Sequence, residues 1–377
     1  MEDLDKIENT HIEPLEDEKN DDFSNDDLFN ITSWGTDPSV RELITMYDEK
    51  DIIKPELQRK YVWEKKESSR FLESILLGLP VPSLFFANTK DDTRLIIDGY
   101  QRIKTVVDYS KGIWSGDGSV FKLTNSKLIN ERWRNKSFNE LSEDDRRRFR
   151  NYTIHAIIFE QREPKNDSGL FQVFERINTS GETLNPQEIR NCVYQGRLNS
   201  LLFKLNKYEK WRTLFGDKNE DKRMLDLEFI LRFFALKEVY LVDNQNGYIS
   251  LKKLLNDYMK DHIQSESSFF DSLESLFIGT IDFIYSNFGA EAFYNLQNDL
   301  QIIRRRFYPT VYDSIMIATS IAMEKGYRVA DCPLESKRIT LLKDTEYRNS
   351  ITQGTMQCQN IRTRIEKALI ILYNMNL

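Results

Sequence analysis

The periodicity of the chain changes at Gly181, and that switch limits what it can fold into. Before it, short apolar runs of strand type alternate with helical stretches; beyond it nearly every apolar pattern repeats at helical spacing. In the first part, helical spacing runs through Val40, Leu43, Ile44 and Tyr47. Residues 51–63 read as extended around Pro55, because the residue before a proline is pushed out of the helical region. A helix with Phe71, Leu72, Ile75 and Leu76 on one face stops at Gly78 and Pro80. The runs 84–87 and 94–97, joined through Lys90, Asp91 and Asp92, predict a β-hairpin. A helix over about 100–109, an apolar strand at 152–161 and a helix at 168–178 follow. In the second part, Asn185, Pro186 and Glu188 stand in the order of a capped helix start, and Gly196 can end that helix. Helical period then holds over 197–206, 223–238, 249–262, 269–287, 309–325 and 359–374, with no internal repeat. The expected fold is an α+β domain over 36–180, then an all-helical domain over 181–377, after a disordered acidic tail over 1–35.

Charge is distributed unevenly. Residues 1–30 hold twelve Asp/Glu and two Lys, a net of −10 against −7 for the whole chain, so the remainder is mildly basic at +3. A tail of dense like charge and few aromatics reads as disordered; it solubilises the protein or masks a basic groove. No apolar run approaches the ~20 residues a membrane helix needs, and the acidic N-terminus carries no leader pattern. Cys192, Cys332 and Cys358 are scattered without C-x-x-C spacing, which argues against a disulfide framework or a cysteine zinc site and suits the cytoplasm. The three histidines, His11, His155 and His262, do not form the paired set of an HNH nuclease, and neither a P-loop nor a G-x-S-x-G elbow occurs.

Four stretches carry chemistry. The first is Asp98, Gly99, Tyr100, Gln101 and Arg102, where an apolar run breaks and a helix begins. A glycine there permits a tight turn, and the helix start attracts anions. Arg102 offers a planar fork for phosphate, Gln101 a group to orient water, and Asp98 a Mg²⁺ ligand or a helix cap. A plain D-G turn with an exposed arginine explains the same residues. The second stretch, 57–63, sets Gln58 and Arg59 before Tyr61 and Trp63, for phosphate and base stacking or simply for core packing. The third, 174–190, ends a helix with Arg176 and Asn178, crosses a small polar loop and starts a capped helix. The fourth is a pair of basic clusters. Arg146, Arg147, Arg148 and Arg150 have Glu143, Asp144 and Asp145 beside them; Arg304, Arg305 and Arg306 have no acid close in sequence and are the better DNA-binding candidates.

The ordered set "LQRKYVW", "LLGLPVPSLFF", "LIIDGYQRIKTV" and "FERINTSGETLNPQEIR" resembles the domain-of-unknown-function 262 family, the N-terminal domain of GmrSD-type restriction proteins, over about 140 residues. The resemblance implies a ParB/sulfiredoxin-like fold and an NTP-binding, NTP-hydrolysing protein of DNA restriction or antiphage defence, with GTP favoured and Mg²⁺ as cofactor. It puts Asp98, Gln101 and Arg102 at the nucleotide phosphates, with Asp98 on the metal. Gly99 shapes the turn, Gln58 and Arg59 match the first motif, Arg176 and Asn178 close the pocket, and these five together with Tyr100 make the nucleotide-binding set. The family's central motif is usually D-G-Q-Q-R, so Tyr100 replaces its first glutamine, and hydrolysis hinges on that position. With no HNH set, a nuclease would be a separate partner subunit. Two other readings stay open: a non-enzymatic DNA-binding sensor working through 304–306, and a metal-dependent DNA nickase using Asp98. A homo-oligomer is left open, and no membrane partner is expected.

Overall fold

The computed structural model describes residues 11–15, 31–54, 63–89, 92–161, 168–177, 184–221, 223–242, 247–297, 302–327 and 334–376. The chain divides into two compact units, Asn25–Val193 and Met1–Ser24 with Tyr194–Leu377.

The first unit is built on a five-stranded mixed sheet of order β1-β5-β3-β4-β2. Its strands are β1 (Ile31–Thr36), β2 (Ile52–Ile53), β3 (Leu84–Asn88), β4 (Arg94–Asp98) and β5 (Ala156–Gln161). β3 and β4 form the expected antiparallel hairpin, β5 runs parallel to β3, and β2 parallel to β4. Leu95, Ile96 and Ile97 are all buried, as a central strand covered on both faces requires. Ile96, Phe86, Leu84 and Ile158 share one core with the helices α1 (Val40–Asp48), α2 (Lys65–Leu77), α3 (Tyr100–Lys111) and α4 (Glu143–Asn151). α5 (Ser168–Ile177) packs on β4 and β5 and on α6 (Pro186–Val193).

Local chemistry sets the helix ends. Ser39 and Glu42 close a capping box on α1, and Gly78 ends α2 in the left-handed conformation. Asn185 and Glu188 cap α6 reciprocally, at 2.7 and 2.8 Å, as the sequence predicts. A further box joins Ser137 and Glu140. The Ser137 backbone N–H, then Lys122 and the Ser137 hydroxyl, hold the Glu140 carboxyl down to about 2, from 4.5. This cap therefore contributes fully above pH 4.5 and is lost as the pH falls from there toward 2. The melting-temperature gap between wild type and Glu140→Gln should close over that interval; a gap that ignores pH would contradict the assignment.

Order begins earlier than the sequence suggests. The expectation of disorder up to residue 35 is corrected by β1, which pairs antiparallel with β5 from Ile31 to Thr36. This edge strand leaves Ser33, Trp34 and Gly35 exposed, so it carries no apolar alternation to read. Residues 11–15, placed in the same tail, are also ordered and belong to the second unit.

That second unit is helical: α7 (Arg197–Asn206), α8 (Glu209–Phe215), α9 (Leu225–Val242), α10 (Leu251–Asp261), α11 (Ser267–Phe288), α12 (Pro309–Glu324), α13 (Leu334–Lys343), α14 (Thr345–Thr352) and α15 (Cys358–Tyr373). One antiparallel ribbon interrupts it, β6 (Tyr294–Leu296) with β7 (Ile303–Phe307). α12 is buried along most of its length among α9, α11 and α15. Trp211, Phe215, Phe229, Phe307 and Tyr312 make an aromatic cluster at its N-terminal end. Among the described residues no helix is long and apolar enough to cross a membrane.

Candidate functional site

The corner between β4 and α3 is held from both sides. β4 is paired with β3 and β2, so Asp98 stands at the end of a fixed strand, and α3 packs against α1 and α2. Gly99 joins them at φ 104°, ψ 8°, a region side chains rarely enter. A Cβ on Gly99 would lie 2.4 Å from Leu84 Cδ2 and 3.3 Å from Arg102 Nε. Bare backbone is thus presented at the start of a twelve-residue helix whose N-cap brings no side-chain hydrogen bond and whose first turn holds no acid. Such a helix start favours an anion.

Arg102 turns back over this corner. Its Nη2 donates to Asp98 Oδ2 at 2.5 Å, and its side chain is only 11% exposed. Its Nε is buried with no hydrogen-bond partner. Buried donors are normally satisfied, so an orphan beside a glycine cradle marks a place where an acceptor is wanted. Lys104 is neutralised in the same manner by Asp108, at 2.6 Å. Lys54 is not: among the described residues no carboxylate pairs with it, and its ammonium sits 4.4 Å above the centre of the Tyr100 ring. Burial, and after it the nearby Lys104, pull the Lys54 pKa below that of an ordinary lysine. With Asp98–Arg102 and Lys104–Asp108 each balanced, Lys54 is left as a cation in excess among the described residues.

Gln101 accepts a hydrogen bond from the Trp63 backbone N–H at 3.4 Å. The residue just after "LQRKYV" is therefore tied to the corner, and two of the sequence motifs meet. Trp63 itself packs edge-on to Phe71, 5.5 Å between ring centres. Residues 40–195 match the family model of the GmrSD restriction endonuclease N-terminal domain. No curated protein and no solved structure gave a match. A GmrSD N-terminal domain points to a protein of restriction or antiphage defence.

Within this GmrSD-type domain the predicted residues fare differently. Asp98, Gly99, Tyr100, Gln101 and Arg102 form one corner. Arg176 is exposed in the last turn of α5, the helix that touches β4. Gln58, Arg59 and Asn178 lie outside the described residues. Tyr100 is a core side chain, 8% exposed, and serves as the seat for Lys54. Lys54 was not singled out from sequence; the signal was a lysine closing the apolar pair Ile52-Ile53 just before Pro55.

Among the described residues no group of three or more His, Cys, Asp or Glu is placed to hold a metal, and the acid at the corner, Asp98, is engaged by Arg102.

The second predicted site reads differently in three dimensions. Arg304, Arg305 and Arg306 lie on β7, and the fold brings them the acids that sequence proximity did not show: Glu13 to Arg304 and Arg306, and Glu291 to Arg305.

Proposed function

We propose that the GmrSD-type domain binds a nucleoside triphosphate, GTP for preference, with its phosphates at the β4–α3 corner, and that this binding is coupled to DNA restriction. The observation that carries the reading is the Gly99 cradle, with the orphaned Arg102 Nε beside it. A phosphate oxygen accepts from Arg102, lies near the positive end of α3, and offsets the charge of Lys54. Magnesium enters this reading as the counter-ion of the nucleotide phosphates, not as an ion caged by protein. Hydrolysis is the weaker part of the function, because Tyr100 is packed into the core and Gln101 already serves Trp63.

Arg102→Ala should weaken GTP binding by roughly tenfold to a hundredfold, the value of a charge-assisted hydrogen bond, and Lys54→Met by somewhat less. Calorimetry showing equal GTP affinity in wild type and both variants would sink the site. Phosphate release from ATP, GTP, CTP and UTP, compared between wild type and Tyr100→Gln, separates binding from turnover.

A further inference from the structure

Residues 11–13 lie along β7 as a short added strand. The Phe307 N–H donates to the His11 carbonyl at 2.7 Å, the Glu13 N–H donates to the Phe307 carbonyl at 2.8 Å, and Ile12 pairs with Phe307 in parallel register. Glu13 then reaches two arginines of the strand it covers. Arg304 Nη1 lies 2.7 Å from one carboxylate oxygen and Arg306 Nη1 3.5 Å from the other. Residues two apart on a strand share a face, so one carboxylate serves both. Arg305, on the opposite face, is 84% exposed and 3.5 Å from Glu291.

Among the described residues, two backbone hydrogen bonds and the Glu13 carboxylate hold the segment, and the His11 ring packs edge-on to Phe215, 5.1 Å between centres. The buried Nε2 of His11 has no hydrogen-bond partner. Burial lowers the His11 pKa; Asp217, Asp221 and Asp226 act against that and Arg212 with it. The segment belongs to a stretch, 1–30, with twelve acidic residues and two lysines. Glu13, laid against β7, neutralises two guanidinium groups that a polyanion would use, while leaving them 45% and 35% exposed.

We propose that residues 11–13 are an intramolecular cover on β7, and that Arg304 and Arg306 beneath it contact the phosphate backbone of duplex DNA once the cover leaves. The cover keeps the resting protein off DNA, and DNA competes with Glu13 for the same two guanidinium groups. The restriction context of the GmrSD-type domain selects DNA as the polyanion. The nucleotide reading can fail without touching this one, since Arg304, Arg306 and Glu13 all belong to the helical unit.

The experiment uses the full chain and a short labelled duplex, with fluorescence anisotropy read across a salt series. Glu13→Gln should bind about tenfold more tightly than wild type at low salt. Its plot of log affinity against log salt should steepen by about two, one for each phosphate contact. Adding Arg304→Gln and Arg306→Gln to Glu13→Gln should return both values to those of wild type. Glu13→Pro removes the carboxylate and the Glu13 N–H together, so it releases the segment even where backbone bonds alone would hold it. Wild-type affinity in both Glu13 variants, with their melting profiles intact, overturns the proposal. So does a gain that survives loss of both arginines.

Discussion

Asp313→Asn should destabilise the helical unit by about 3–5 kcal/mol, the cost of stripping the partner from buried charges. Asp313 is fully buried on α12. Arg232 of α9 grips it with two bonds, Nε at 2.7 Å and Nη2 at 2.6 Å, and Arg364 of α15 adds a third at 3.0 Å. Both guanidinium groups are themselves within 2% of full burial. One carboxylate thus joins three helices and answers two cations. The asparagine has nearly the same shape but no charge, so two buried guanidinium groups would lose the carboxylate that bridges them. Melting should fall on the order of 10 °C, and urea unfolding gives the free energy. Replacing Arg232 by Met in the Asp313→Asn background should recover part of the loss, because one of the two cations facing the neutral side chain is gone. A loss below about 1 kcal/mol, the scale of an exposed pair, would show that water reaches the site.

That network also shows where sequence reading stops. Arg232 and Asp313 are 81 residues apart and Asp313 and Arg364 are 51 apart, so nothing local announces them. The same holds for Glu13 and Arg304, 291 residues apart, which is why a basic cluster with no acid in its own segment turns out to be ion-paired. What was legible is what local physics decides. The α6 cap depends on Asn185 and Glu188 alone, three residues apart, and it forms as read. The β3–β4 hairpin and the α3 helix follow from apolar runs on either side of a turn and a glycine. The elements that escaped notice lack that signal. β1 buries little, and α13 turns Arg338, fully buried, into its core face, where Glu335 and the Tyr294 carbonyl satisfy it. A charged residue on the inner face breaks the apolar period that would have marked the helix. At the candidate site the strand, the glycine and the arginine were readable in a row. Lys54 was not, because only the fold sets its ammonium over the Tyr100 ring.

Gly99→Ala should remove nucleotide binding and cost the first unit several kcal/mol, through two causes that can be separated. The backbone sits at φ 104°, and holding a non-glycine residue in so sparse a region costs about 1–3 kcal/mol. The new methyl would also stand 2.4 Å from Leu84 Cδ2, in a side chain with no exposure and so with nowhere to retreat. Close packing makes that a second cost, about 1–3 kcal/mol for an overpacked core. The two add, because one lies in the backbone and the other in a neighbour's tip. Leu84→Ala removes the obstructing methyl but leaves φ untouched. The double variant Gly99→Ala/Leu84→Ala should therefore be more stable than the sum of the two single losses predicts, by the size of the steric part, while GTP binding stays lost. Binding stays lost because the added methyl also stands 3.3 Å from Arg102 Nε, on the bare surface proposed for the phosphate. Full binding in a folded Gly99→Ala protein would remove the phosphate from this corner, and additive stabilities would trace the damage to the backbone alone.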